Sequence, residues 1–185
     1  MLETQLETIG LVHRLRRVAW RSVWIFLYRP TPIGFHAWRR MLLRLFGATI
    51  DSNTYPYPSV QIWAPWNLKM REGSCIGPYV KCYNVAPVSL GERALVSQYS
   101  HICTASHDYN SASFPLTGAP IQLQDDSWVA ADVFVGPGVT IEAGAVALGR
   151  AVVTRNVAAW TVVAGNPAKK IRMRRRDSQS TIPEK

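Results

Sequence analysis

Leu123, Val129, Val135, Ile141, Ala147 and Val153 follow one another at equal steps of six. Four residues after each comes a second small or β-branched residue: Ser127, Val133, Val139, Ala145, Ala151 and Val157. A helix repeats near 3.6 residues and a strand at 2, so neither generates this beat. A solenoid does: each hexapeptide forms one flat side of a coil and turns one aliphatic side chain inward.

Upstream the beat is irregular. Ile62 and Leu68 form one pair, Met70, Ile76, Cys82 and Val88 a second register, and Leu90, Val96 and Ile102 a third, each offset from the last by two residues. Each offset predicts a bulge or a corner loop. Residues 108–120 break the beat entirely and predict a loop thrown out between coils, a common place for function on a rigid scaffold.

Ahead of the solenoid, residues 11–28 read as a helix with Leu11, Leu15, Val18 and Ile25 on one stripe, widened by Trp20, Trp24 and Leu27. Arg29-Pro30-Thr31-Pro32 ends it. Thr31-Pro32 reads as the cap and first turn of a second helix that carries Trp38, Met41, Leu42, Leu45 and Phe46 inward and stops at Gly47. The expected organisation is a helical cap over 1–49, a solenoid over 50–172 and a polar, disordered tail over 173–185. The cap would hide the open edge of the first coil, which otherwise invites aggregation. An alternative role for these helices is an amphipathic anchor at a membrane surface.

The formal net charge is +9, with arginine and lysine gathered at the two ends. That balance suits an anionic partner or a solubilising surface. Nucleic acid is disfavoured, because the aromatics are not interleaved with the basic runs. Three cysteines without metal-ligand spacing, and no signal pattern, point to a reducing cytoplasm; Val18–Tyr28 is too short to span a bilayer. No metal is expected.

His13 and His36 fall in the helices, and His101 and His107 in the solenoid. The last two stand six apart, at the same point of successive hexapeptides, read as an outward corner. His107 also stands where the projecting loop leaves the coil. An imidazole there suits a general base, since its ordinary pKa lies near 6.5. Near the end, Ala164-Gly165-Asn166-Pro167-Ala168 would let a ligand approach the backbone, with Lys169, Lys170 and Arg172 beyond it to hold phosphates.

From about Asn84 to Arg172 the chain resembles the hexapeptide-repeat acyltransferases, which fold as a left-handed parallel β-helix. Val85-Ala86-Pro87-Val88-Ser89-Leu90-Gly91 and Ile102-Cys103-Thr104-Ala105-Ser106-His107 are similar to the maltose and galactoside O-acetyltransferase pattern. Ser106-His107-Asp108-Tyr109-Asn110, Phe114-Pro115-Leu116 and the stretch from Trp38 to Ala48 resemble the acetyltransferases of colanic-acid and related exopolysaccharide synthesis. The resemblance implies an O-acetyltransferase that uses acetyl-CoA and a sugar acceptor, with sites between the subunits of a homotrimer.

By that resemblance His107 is the catalytic base. Trp128 opens a coenzyme-binding coil, Ala131 and Gly149 offer backbone contacts, and Thr154 and Arg155 lie near the coenzyme. Gly165 allows its close approach, and Lys169 and Arg172 meet its phosphates. Asn84 and Asp108 fall near the acceptor, although Asn84 is an amide where the family has an acid nearby. Leu148 and Arg150 replace residues that are usually small. The same fold also serves N-acetyltransferases, xenobiotic acetyltransferases, γ-type carbonic anhydrases, which need three histidines, and non-catalytic solenoids.

Overall fold

A computed structural model describes Thr4–Gln5 and residues 10–175. The expected disordered tail over 173–185 begins too early, because Met173 ends a strand and Arg174 donates to Asp126 O and Gly144 O; residues 176–185 lie outside the described residues. The chain is a left-handed parallel β-solenoid of about six turns, preceded by two helices. Three parallel sheets form its flat sides. Face A stacks Thr49–Ile50, Leu68–Met70, Val88–Leu90, Ile121–Leu123 and Thr140–Ile141. Face B stacks Tyr55–Pro56, Cys75–Ile76, Leu95–Val96, Trp128–Val129, Val146–Ala147 and Thr161–Ala164. Face C stacks Gln61–Ile62, Lys81–Tyr83, His101–Cys103, Phe134–Val135 and Val152–Val153.

The sixfold beat is the core. Leu123, Val129, Val135, Ile141, Ala147 and Val153 are each at most 1% exposed, and their partners four residues on are buried with them. Burying an aliphatic side chain this fully is worth about 1.5–3 kcal/mol, so each coil is held chiefly from inside. The offsets of two have one cause. On the earlier coils face A uses two inward residues, Leu68 with Met70 and Val88 with Leu90, after a longer corner leading out of face C. That corner holds a 3-10 turn at Pro65–Asn67, then Asn84–Pro87, and in the next coil the whole projecting loop.

Backbone groups alternate in direction along each strand: Gln61 N donates forward to Val80 O and Lys81 N to Ser100 O, while Gly73 N donates back to Asn53 O and Arg93 N to Glu72 O. Backward-pointing carbonyls of the first coil, at Ile50, Thr54, Pro56, Val60 and Ile62, have no coil to meet. The helices supply the missing donors. Helix α1 (Leu11–Val23), continued by a π-helical turn at Trp24–Tyr28, sends the Trp20 indole to Ile62 O and the Trp24 indole to Val60 O, both at 2.7 Å. Helix α2 (His36–Leu45) sends Arg39 to Pro56 O, Arg40 to Thr54 O and Arg44 to Ile50 O. The opening edge of every face is thereby closed, and an orphaned carbonyl avoids a cost of about 1–3 kcal/mol.

The helices differ from expectation in two ways. Thr31-Pro32 does not start α2. The Thr31 hydroxyl donates to Tyr28 O and accepts from Arg39, so it ties the first helix's end to the second. The inward faces also differ. Trp20, Tyr28, Leu42 and Leu43 are buried, whereas Leu11, Leu15, Val18 and Leu45 are 60–73% exposed. Indoles and guanidinium groups share the inward side with Tyr28, Leu42 and Leu43 because they can donate to the coil edge.

Candidate functional site

His107 is positioned by a short antiparallel sheet that leaves the solenoid at the corner between faces C and A. Ala105–His107 pairs with Leu116–Gly118, and Thr4–Gln5 pairs with the outer side of that strand. The imidazole is exposed, and its Nδ1 lies 2.7 Å from Phe114 O. A carbonyl can only accept, so Nδ1 carries the proton and donates. In the neutral ring Nε2 is then left as a lone-pair base facing solvent. Phe114 holds φ at +45°, a left-handed conformation uncommon for an aromatic residue; it aims this carbonyl back across the loop.

Asp108 sits beside the base but spends part of its carboxylate locally: Oδ1 accepts from the Asn110 N–H at 2.9 Å and shapes the loop tip. Asn84 corrects an expectation. It is fully buried, and its carboxamide accepts from Ala64 N at 2.9 Å and donates to Ala64 O at 2.6 Å. Both ends of the amide are used to stitch successive corners together, so Asn84 is absorbed into the scaffold and offers nothing to an acceptor. His101 is corrected as well. It lies on flat face C, partly buried, edge-on to Phe134 at 5.6 Å, and not at a corner. A position one before an inward residue such as Ile102 faces outward from a strand; only His107, where the chain leaves the coil, departs from that rule. Burial, then Lys81, lowers the His101 pKa.

Thr154 and Arg155 follow Val153 on face C and are exposed at the same corner as the His107 loop, in later coils. The remaining candidates lie elsewhere. Trp128 is 38% exposed on face B, its indole donating to Ser97 Oγ at 2.9 Å. Ala131 and Gly149 occupy the corner between faces B and C in successive coils, with Arg150 N donating to Ala131 O. A Cβ on Gly149 would come within 3.4 Å of that same carbonyl, so the two small residues leave a shallow backbone-floored step. Gly165, at φ +93°, continues the corner and accepts from Val152 N. Beyond a turn at Asn166-Pro167, Lys169–Met173 folds back antiparallel on Thr161–Ala164, placing Lys169 and Arg172 in an exposed strand at the end of face B.

The candidates therefore form two groups on opposite edges of face C. His107, Asp108, Thr154 and Arg155 stand on one edge; Ala131, Gly149 and Gly165 stand on the other, with Trp128, Lys169 and Arg172 on adjoining face B. One chain does not bring them together. The second edge also carries residues that sequence reasoning missed. Tyr79 and Tyr99 stack there at 5.2 Å and 5°, and Asp132 pairs with Arg150 at 3.4 Å. Their signal was a one-coil spacing, visible only once the coil length is known. Among the described residues no group of three or more histidine, cysteine or acidic side chains is placed to hold a metal ion.

No protein-family model matches the chain. It is 39% identical over 155 residues to the putative colanic acid biosynthesis acetyltransferase WcaF of Escherichia coli, covering 84% of this chain and 85% of that protein. Among solved structures it resembles a maltose O-acetyltransferase from Clostridium difficile, at 21% identity, a TM-score of 0.80 and 90% of each chain. It also resembles a hexapeptide-repeat acetyltransferase of Vibrio cholerae complexed with acetyl coenzyme A, at 23% identity and TM-score 0.78, over 90% of this chain and 91% of that one. The fold is that of the hexapeptide-repeat acyltransferases. Within that class the chain belongs to the acetyltransferase family of WcaF.

Proposed function

We propose that this acetyltransferase moves an acetyl group from acetyl-CoA to a hydroxyl of a sugar used in exopolysaccharide synthesis, with His107 as general base in a ternary complex. The observation that carries the reading is the 2.7 Å contact from His107 Nδ1 to Phe114 O, which leaves Nε2 free to accept a proton. The relative's role in colanic acid synthesis and the neighbours' maltose and acetyl-CoA chemistry support the substrate classes.

His107 Nε2 takes the proton of the acceptor hydroxyl while its oxygen attacks the thioester carbonyl. A C–O bond forms, the C–S bond breaks, and the imidazolium returns its proton to the departing sulfur. Phe114 O keeps the ring in the required tautomer throughout. Trp128, Ala131, Gly149 and Gly165 would flank the pantetheine arm, and Lys169 and Arg172 would meet the phosphates. These groups fit that cofactor: the corner is small-residued and floored by backbone, and the strand beyond it is basic and exposed. Thr154 and Arg155 would approach the same coenzyme from a neighbouring chain. Asp108, with carboxylate capacity to spare, is the residue next to the base that would hold the acceptor.

Because the two groups sit on opposite edges of face C, a complete site needs the base edge of one chain against the coenzyme edge of another. A closed ring of three chains meets that need with one site at each boundary. Free Cys75, Cys82 and Cys103 suit a cytoplasmic setting. The test is thioester loss from acetyl-CoA with a panel of free, nucleotide-linked and lipid-linked sugars. Transfer to a sugar hydroxyl that depends on His107 supports the reading; transfer only to amines, or unaltered transfer by a folded His107→Ala protein, overturns it.

A further inference from the structure

The helical cap has two apolar sides, and the solenoid uses only one. Trp20, Trp24 and Tyr28 face the coil. About half a turn round the helix, Leu11 (72% exposed), Leu15 (60%), Val18 (65%) and Phe26 (73%) form a stripe in solvent. Helix α2 adds exposed apolar residues beside its buried ones: Leu42 and Leu43 are buried, while Trp38, Met41 and Leu45 are exposed, the Trp38 indole donating to Leu27 O.

The direction of these stripes follows from the hydrogen bonds. The carbonyls of Ile50, Thr54, Pro56, Val60 and Ile62 point backward along the solenoid axis, and both helices sit on them through Trp20, Trp24, Arg39, Arg40 and Arg44. The α1 stripe, half a turn from the indoles, therefore looks away from the solenoid along its axis, and with the exposed Met41 and Leu45 of α2 it makes the blunt end apolar.

Charge identifies the partner. Residues 10–50 contain eight arginines and neither aspartate nor glutamate. Arg14, Arg21 and Arg29 border the α1 stripe and are exposed. Among the described residues none of these arginines has a carboxylate partner. An exposed apolar face of this size marks an interaction surface. A second copy laid against it would set arginine against arginine with no acid between them. An anionic bilayer offers acyl chains for the stripe and phosphates for the guanidinium groups, worth about 1 kcal/mol for each cation near the surface. No helix among the described residues is long and apolar enough to cross a membrane.

We infer that the outer faces of α1 and α2 dock the blunt end of the solenoid on an anionic lipid bilayer. The helices lie in the interface plane, stripes among the upper acyl chains and arginines among the headgroup phosphates. In the trimer proposed above the three blunt ends share one plane, so docking would be reinforced by avidity.

The full chain is floated with phosphatidylcholine vesicles with and without phosphatidylglycerol, and no acetyl transfer is measured, so the result is independent of the proposed reaction. It is expected to rise with the phosphatidylglycerol vesicles only and to be released by high salt. Leu15→Glu with Phe26→Glu should lower partitioning about tenfold or more, with melting temperature and oligomeric state unchanged. The milder Leu15→Ser with Phe26→Ser serves if the acidic pair misfolds. Failure to bind anionic vesicles, equal binding to neutral ones, or unaltered binding by both variants overturns the proposal. Break-up of the oligomer by either variant also overturns it, and assigns the face to contact between copies.

Discussion

The two long edges of face C are built from opposite materials. At the edge shared with face A the corner is of similar length in the first two coils, and in the third it becomes a loop that holds an imidazole by a backbone carbonyl. At the edge shared with face B the corners stay tight, repeated by left-handed residues at Tyr79, Tyr99, Asp132 and Arg150, with Ala131 and Gly149 alongside. One edge sets an imidazole in solvent; the other leaves a shallow step at Ala131 and Gly149 among larger side chains. A flat sheet separates them, so the proposed function requires one chain's first edge to meet another chain's second.

The largest expected effect falls on the reacting edge. His107→Ala should lower kcat by about 10²–10⁴-fold with the melting temperature unchanged, measured by thioester release. On the cleared edge, Gly149→Trp should weaken coenzyme A binding about tenfold or more by filling the step above Ala131, leaving the fold intact by circular dichroism. Calorimetry on that variant separates the edges: His107→Ala should bind coenzyme A normally. Further along, Lys169→Ala with Arg172→Ala should cost about tenfold in coenzyme affinity, with a loss that shrinks as salt rises. Substitution is preferable to truncation here, because Lys169–Met173 also seals the last coil of face B.

Stability changes sharpen the comparison less. Trp20→Phe leaves Ile62 O without a donor and should cost about 1–3 kcal/mol in urea unfolding, without altering coenzyme affinity. A smaller effect concerns pH. Burial, as the leading cause, lowers the pKa of His13, His36 and His101 in the folded chain. Above the ordinary histidine range folded and unfolded rings are both neutral. As pH falls through it the unfolded rings take up protons first, so stability should decline on the acid side. His101→Gln should flatten that decline in melting temperature.

Much of the scaffold was legible in the sequence because each flat side of a coil turns an aliphatic side chain inward at a six-residue step. Val129, Val135 and Ile141 had no alternative position. The helices were less legible. Amphipathic spacing reports that a face is apolar but not what covers it, and α1 is apolar on two sides; the coil edge selected the side bearing indole N–H groups. At the candidate site, the exposed place of His107 beside the loop was legible because a broken beat strands it outside the coil. Its orienting group could not, because Phe114 contributes a carbonyl that every residue owns, and only the loop's path aims it. Asn84 was misread for a related reason: a polar residue near the base looks like a ligand contact until its burial shows both ends of the amide bound to Ala64.

The central claim is that a working site takes His107 from one chain and the Ala131–Gly149 edge from another. His107→Ala and Gly149→Trp chains, each impaired about tenfold or more alone at limiting acetyl-CoA, can be unfolded together, refolded in equal amounts and assayed under that condition, with mass spectrometry verifying mixed trimers. In a ring of three every mixed trimer regains one intact site, so acetyl transfer should return to about a quarter of the wild-type rate. Mixed trimers that remain as impaired as their parents would contradict the account.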